Sequence, residues 1–242
     1  MSIYQHFARV YDIFMADTPY EQWAGYIDEI FHRYGVLQNG LILDLACGTG
    51  TMAFLMSKKG YDVIGVDASE DMLSEAYQKK LSLDGPLFLN QDMRALDLYG
   101  TIDAAYSCCD GMNYLLTEED FLLVLRNVAL FLNPGGIFIF DLKMDKRYQN
   151  LGDGTYYDDT EDASYIWKNH YDPVSCTNEY RVEFFLNNGD SFTETHKQRA
   201  YKMECVKELA KTAGFQMLAV TKAYSDNPAS EDNGRVTFVL IR

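Results

Sequence analysis

Near the start of the chain, apolar positions recur at helical spacing. Tyr4, Phe7, Tyr11 and Phe14 share one face of a 3.6-residue period, which predicts a helix over residues 3–15. Pro19 follows the break. Trp23, Ile27, Ile30, Phe31 and Tyr34 mark the inward side of a second helix from Tyr20 to Tyr34, ended by Gly35. From Leu41 the pattern changes: short apolar runs near 41–46, 61–67, 86–90, 102–108 and 136–142 alternate with helical segments near 50–59, 69–80 and 117–132. Alternating strands and helices predict a parallel sheet covered on both faces. Ser69 opens one helix, with Glu70 and Asp71 in its first turn and Lys79-Lys80 at its end, as the helix dipole favours. Thr117 and Asp120 form a capping box ahead of Phe121, Leu122, Leu125, Val128 and Leu132.

Residues 146–202 break this rhythm. The stretch 153–159 is polar, aromatic and turn-rich. Three strand-like runs follow, Ala163–His170, Glu179–Leu186 and Phe192–Tyr201, with turns at Asp172-Pro173 and Asn187-Asn188-Gly189-Asp190. The expectation is a three-stranded antiparallel insert without a core of its own. A helix over 203–213, ended by Gly214, and strands Phe215–Lys222 and Val236–Ile241 close the chain. Residues 1–242 thus read as a single domain, with N-terminal helices over 1–35 and a β insert over 146–202.

A formal net charge of −15 disfavours nucleic acid as a partner, since no basic cluster offsets it. The five cysteines are odd in number and lack CxxC spacing, so reduced thiols are expected and no metal site. No apolar run approaches 18 residues, so no membrane partner is expected, and the expected location is the cytoplasm.

The stretch Asp44-Leu45-Ala46-Cys47-Gly48-Thr49-Gly50 lies between the first apolar strand and a helix. Gly48 and Gly50 permit a tight turn and close ligand approach. Asp44 places a carboxylate there, which argues against a pyrophosphate and for a ligand with a positive end. The second strand ends in Asp67, at the distance where an acid takes ribose hydroxyls in βαβ nucleotide sites. Asn90-Gln91-Asp92-Met93-Arg94 follows the third strand, and Asn133-Pro134-Gly135-Gly136 precedes the fifth.

These motifs, in this order, resemble class I S-adenosylmethionine (SAM) methyltransferases of the small-molecule type, including uncharacterised bacterial members. The resemblance is close over residues 36–145 and looser over 203–242. It implies an α/β fold: a Rossmann-like, seven-stranded, mostly parallel sheet with an antiparallel last strand, plus the small antiparallel insert. It implies SAM as cofactor, S-adenosylhomocysteine as product, and a small-molecule acceptor methylated on nitrogen or oxygen by in-line displacement, in a monomer or homodimer. Cofactor contacts are expected from Asp44, Ala46, Cys47, Gly48, Gly50, Asp67, Ala68, Met72, Asp92, Met93 and Cys108, with Asp92 accepting from the adenine amino group and Met93 packing on the ring. The N-terminal helices should lie over the cofactor, with Tyr11 closing on it; Tyr4 and Trp23 are weaker candidates whose alternative is the core.

On the acceptor side, Asn113 is a candidate to orient an amine or hydroxyl, its alternative being a turn or N-cap residue, and Asp110 is a candidate base. The insert is expected to cover the acceptor as a lid, the alternative being a dimerisation arm. Alternation puts His196 and Arg199 on opposite strand faces, and His196 reads more readily as a surface or satisfied residue than as a catalytic one. Two other functions compete: an NAD(P)-dependent oxidoreductase, which shares a glycine loop and a ribose acid, and a non-catalytic SAM-binding protein.

Overall fold

A computed structural model describes residues 8–80, 85–159, 163–186 and 189–242. Tyr4, Phe7 and the Asn187-Asn188 turn lie outside the described residues. The sheet uses β1 (Leu41–Leu45), β2 (Asp62–Asp67), β3 (Leu87–Asn90), β4 (Ile102–Ser107), β5 (Leu132–Lys143), β10 (Gln216–Lys222) and β11 (Arg235–Ile241), in the order β10-β11-β5-β4-β1-β2-β3. Strand β11 runs antiparallel to both β10 and β5, while β1 to β5 pair in parallel. Strand β5 begins at Leu132, so the Asn133–Gly136 break lies inside the strand; the register with β4 shifts there, between Ile102 and Ala104.

Helices cover both faces. On one side α5 (Glu118–Phe131) and α7 (Met203–Thr212) bury Phe121, Leu125, Val128 and Val206 against Phe138, Phe140 and Phe238. On the other, α2 (Tyr20–Arg33) and α3 (Thr51–Lys58) bury Ile27, Phe31, Met52 and Met56 against Ile42, Tyr106 and Ile139. The remaining helices are α1 (Ala8–Phe14), α4 (Glu70–Lys79) and α6 (Asp145–Leu151). The expected caps form: Ser69 Oγ accepts from Met72 N, and Thr117 Oγ1 accepts from Asp120 N.

The insert has four strands rather than three: β6 (Gly154–Asp159), β7 (Ala163–Asp172), β8 (Thr177–Leu186) and β9 (Ser191–Arg199), paired antiparallel in chain order. β6 is an exposed edge strand, so it lacks the alternation that marks a half-buried strand. Nor is the insert coreless. Val182 and Phe184 pack with Tyr165, Trp167 and Phe192, and α1 completes the cluster through Val10 and Phe14. Rings of Phe14 and Tyr165 meet edge-on at 4.7 Å. Helix α1 thereby joins the insert to the sheet's carboxyl edge.

Candidate functional site

The loop after β1 carries the strain that shapes the site. Ala46, Gly48 and Gly50 all have positive φ, 61°, 55° and 77°. Across the edge, the loop after β4 holds Cys109 and Asp110 at 57° and 55°. Left-handed backbone at non-glycine residues costs about 1–3 kcal/mol each and persists where surroundings impose it. Here both strained loops face one cavity of about 600 Å³.

Of the expected cofactor residues, Ala46, Gly48, Asp67, Ala68, Met72, Asp92, Met93 and Cys108 line that cavity. Asp44 and Cys47 line a small adjoining void of about 40 Å³, together with Tyr11, Ala46, Gly48 and Cys108. Gly50 lines neither: a Cβ there would stand 2.7 Å from Phe88 Cζ, so its requirement is packing under the loop. A Cβ on Gly48 would meet nothing within 4 Å. That opening is a cradle a side chain would fill.

Asp67 is held by the loop it serves. Its Oδ2 accepts from Gly48 N and its Oδ1 from Ser69 N, both at 2.8 Å. Burial raises its pKa while these amides oppose the rise. Asp44 is fully buried, its Oδ2 has no hydrogen-bond partner, and burial pushes its carboxyl up to about 8. A buried acid left in this state suits a cationic ligand. Asp92 departs from expectation. Arg94 grips its carboxylate through Nε at 3.0 and 3.1 Å, Nη2 at 2.5 Å and its own backbone N at 2.9 Å. The acid intended for an adenine amino group is thus already engaged by its neighbour.

Tyr11 reaches both cavities just described, from α1. The helix is fastened by Asp12, which accepts from Thr49 Oγ1 at 2.7 Å and pairs with Lys79; Lys79 Nζ also donates to Thr49 O at 3.0 Å. Trp23 is a packing residue, stacked on Tyr224 with centroids 4.4 Å apart, and does not line the cavity.

Two acceptor-side expectations need correction. Asn113 is fully buried, and its amide is consumed by backbone: Nδ2 donates to Lys143 O and Arg199 O, and Oδ1 accepts from Lys143 N. It splices the ends of β5 and β9 and does not face a ligand. Asp110 accepts from Arg235 at 2.7 Å, Gln198 at 2.6 Å and Lys143 at 2.9 Å. Burial alone would raise its pKa, but Lys143 and Arg235 hold it below the usual carboxylate range. A carboxylate so stabilised is a poor base. Arg235 also pairs with Asp141, so two acids and two bases form a buried cluster beneath the insert.

A second cavity, of about 280 Å³, lies between the insert and this cluster, lined by Tyr11, Tyr114, Lys143, Tyr165, Trp167 and Tyr180 among others. Tyr114, Cys109 and Gly111, in the run after the fourth strand whose backbone is expected to pass the methionyl part of SAM, also line the larger cavity.

Comparison with known proteins agrees with this geometry. Residues 42–136 match the family described as "Methyltransferase domain". YqeM of Bacillus subtilis (strain 168), a candidate methyltransferase, is 40% identical over 98% of this chain and 96% of its own length. The chain belongs to the class I SAM-dependent methyltransferases. A SAM-dependent methyltransferase of Clostridium acetobutylicum ATCC 824 superposes with a TM-score of 0.88, at 30% identity, over 98% of both chains. The SAM-bound amino pentose methyltransferase CalS10 of Micromonospora echinaspora shares the fold, with a TM-score of 0.76 at 19% identity over 100% of this chain and 98% of its own. The methyltransferase therefore uses SAM, and the nicotinamide and non-catalytic readings fall. Among the described residues, no helix is long and apolar enough to cross a membrane.

Proposed function

We propose that the methyltransferase transfers the methyl group to a nitrogen or oxygen of a small molecule seated in the cavity beneath the insert. The observation that carries this reading is a shared wall. Tyr11, Cys109 and Tyr114 line both the 600 Å³ and the 280 Å³ cavities, so ligands occupying the two meet at these residues. SAM supplies a methyl on a sulfonium already activated for displacement, which leaves the protein to align the reactants and exclude water. Asp67 would accept the ribose hydroxyls, the open backbone at Gly48 would admit the methionyl chain, Met72 and Met93 would flank the adenine, and buried Asp44 would answer the positive charge.

The acceptor cavity has its own recognition groups. Trp167 Nε1 and Asn178 Oδ1 are buried atoms without a hydrogen-bond partner, and both residues line it. One donates and the other accepts; the β7–β8 register sets them four residue rows apart, so they would meet different polar groups of a small ring-bearing or sugar-like molecule. A coupled assay of S-adenosylhomocysteine release against a metabolite library tests the reading. A hit should lose affinity in Trp167→Ala with SAM affinity unchanged; a hit whose KM is indifferent to Trp167→Ala and Tyr165→Ala would place the acceptor elsewhere.

A further inference from the structure

Behind Tyr114 lies a buried chain of polar groups that no expected site residue includes. Glu194 and His196 stand two apart on β9 and therefore share its inward face. The His196 side chain is 1% exposed and that of Glu194 8%. His196 Nε2 is 3.3 Å from Glu194 Oε2, and Nδ1 is 3.1 Å from the Tyr114 hydroxyl. The imidazole stacks on Tyr180 with centroids 4.8 Å apart, and the Tyr180 hydroxyl is 3.0 Å from that of Tyr114. Tyr114 itself ends the turn Gly111–Tyr114, which Asn113 pins to Lys143 and Arg199.

We propose that Glu194, His196 and Tyr114 form a proton relay for methyl transfer, and that the acceptor is of the class that must lose a proton, an ammonium or a hydroxyl. The inference rests on the methyl-transfer reading above. The Glu194 carboxylate 3.3 Å from Nε2 favours the proton on that nitrogen by charge, which leaves the Nδ1 lone pair toward Tyr114. That is the acid–imidazole–hydroxyl logic by which a weak hydroxyl base gains strength. Of the three, Tyr114 is the member that lines both cavities, so it is the one an acceptor would meet. The balance is simple. The nucleophile's proton passes to Tyr114 Oη as the Tyr114 proton passes to His196 Nδ1. The new bond from nitrogen or oxygen to the methyl carbon forms as the sulfur–carbon bond breaks, its electron pair staying on sulfur. The imidazolium is stabilised by Glu194 until the proton returns through Tyr114 to water after product leaves. In this scheme Tyr114 is catalytic, and His196 and Glu194 are positioning residues acting through it.

The tautomer supplies a test independent of turnover. In full-length protein carrying 15N-histidine and loaded with S-adenosylhomocysteine, two-bond 1H–15N spectra should show His196, assigned by its loss in His196→Gln, as neutral Nε2–H at pH 7. An Nδ1–H tautomer or an imidazolium there would overturn the relay. The second measurement uses a deproteinised small-molecule extract of bacterial cells as the acceptor source and follows S-adenosylhomocysteine release. Tyr114→Phe and His196→Gln should each lower kcat about 100-fold, within the usual range for acid–base catalysis, with SAM Kd unchanged by calorimetry. Glu194→Gln should lower it less. Tyr114→Phe retaining the wild-type rate would overturn the relay while leaving methyl transfer standing. Wild-type protein that fails to bind SAM would overturn both readings.

Discussion

Replacing Asp67 with alanine tests the cofactor site most directly. Each carboxylate oxygen already accepts one backbone N–H, from Gly48 or Ser69, at 2.8 Å. An ionised carboxylate offers about four lone-pair sites, so about two remain for a ligand. Hydrogen bonds to a charged acceptor are worth about 1.5–3 kcal/mol each, and water entering the gap recovers part of that. The expected net loss is about 2–3 kcal/mol, or roughly 30- to 150-fold in Kd. The substitution also strips Gly48 N and Ser69 N of their acceptor. Both lie at a cavity wall that water reaches, so the stability cost should stay near 1 kcal/mol, about 2–4 °C in Tm for a chain of this size. Calorimetry with SAM and S-adenosylhomocysteine side by side is the assay, because the two ligands share the ribose and differ in charge. Both affinities should fall by the same factor. A folded variant binding both within threefold of wild type would refute the ribose assignment, as would a loss confined to SAM.

Three further outcomes follow from the same geometry. Asp44, pushed up to about 8, binds its proton more tightly folded than unfolded, so its contribution to apo stability is lost as pH rises from about 4 towards 8. A cation beside it lowers that pKa, so SAM affinity should rise with pH up to about 8 and then level off, and Asp44→Asn should flatten the titration measured by calorimetry. Gly48→Val should abolish SAM binding in a folded protein, because it fills an open cradle at positive φ, whereas Gly50→Ala should lower thermal stability by about 1–3 kcal/mol through the Phe88 clash. Asp12→Ala unfastens α1 from Thr49 and Lys79, and stopped-flow should show SAM dissociating several-fold faster with little change in Tm.

The sheet and its cofactor edge were legible because each signal is local. Buried parallel strands are apolar throughout, and the glycine loop, the acid closing β2 and the caps at Ser69 and Thr117 each need only a few adjacent residues. Strand β6 was not legible because an edge strand with an exposed face has no period to read. Asp92 was read as the acceptor for the adenine amino group because sequence does not show that Arg94, two residues on, folds back onto it. Asn113 and Asp110 were misread for a different reason. Both lie after β4, where an acceptor-facing polar group is expected, but their partners come from Lys143, Gln198, Arg199 and Arg235. Contacts separated by 30 to 125 residues are set by topology, and no window of sequence contains them.

The same distinction explains why cofactor and acceptor sites differ in how much sequence reveals. The cofactor cavity is made mainly by consecutive strand ends of one sheet, so its residues appear in chain order. The acceptor cavity is made where α1, the turn Gly111–Tyr114 and the insert converge, and each contributor alone has an ordinary structural explanation. Tyr11 and Phe14 read as one face of an amphipathic helix, Tyr180 as a strand aromatic, and His196 as a satisfied strand histidine. Only their meeting gives them chemistry. His196 has an acid beside one nitrogen and, on the other, the hydroxyl of a tyrosine that lines both cavities. Burial of a histidine between an acid and a hydroxyl fixes which nitrogen carries the proton, and that is a directional property rather than a packing one. Specificity for the acceptor should therefore follow the insert and α1 together, because the insert's apolar cluster includes Val10 and Phe14 and the α1 latch fastens to the cofactor loop.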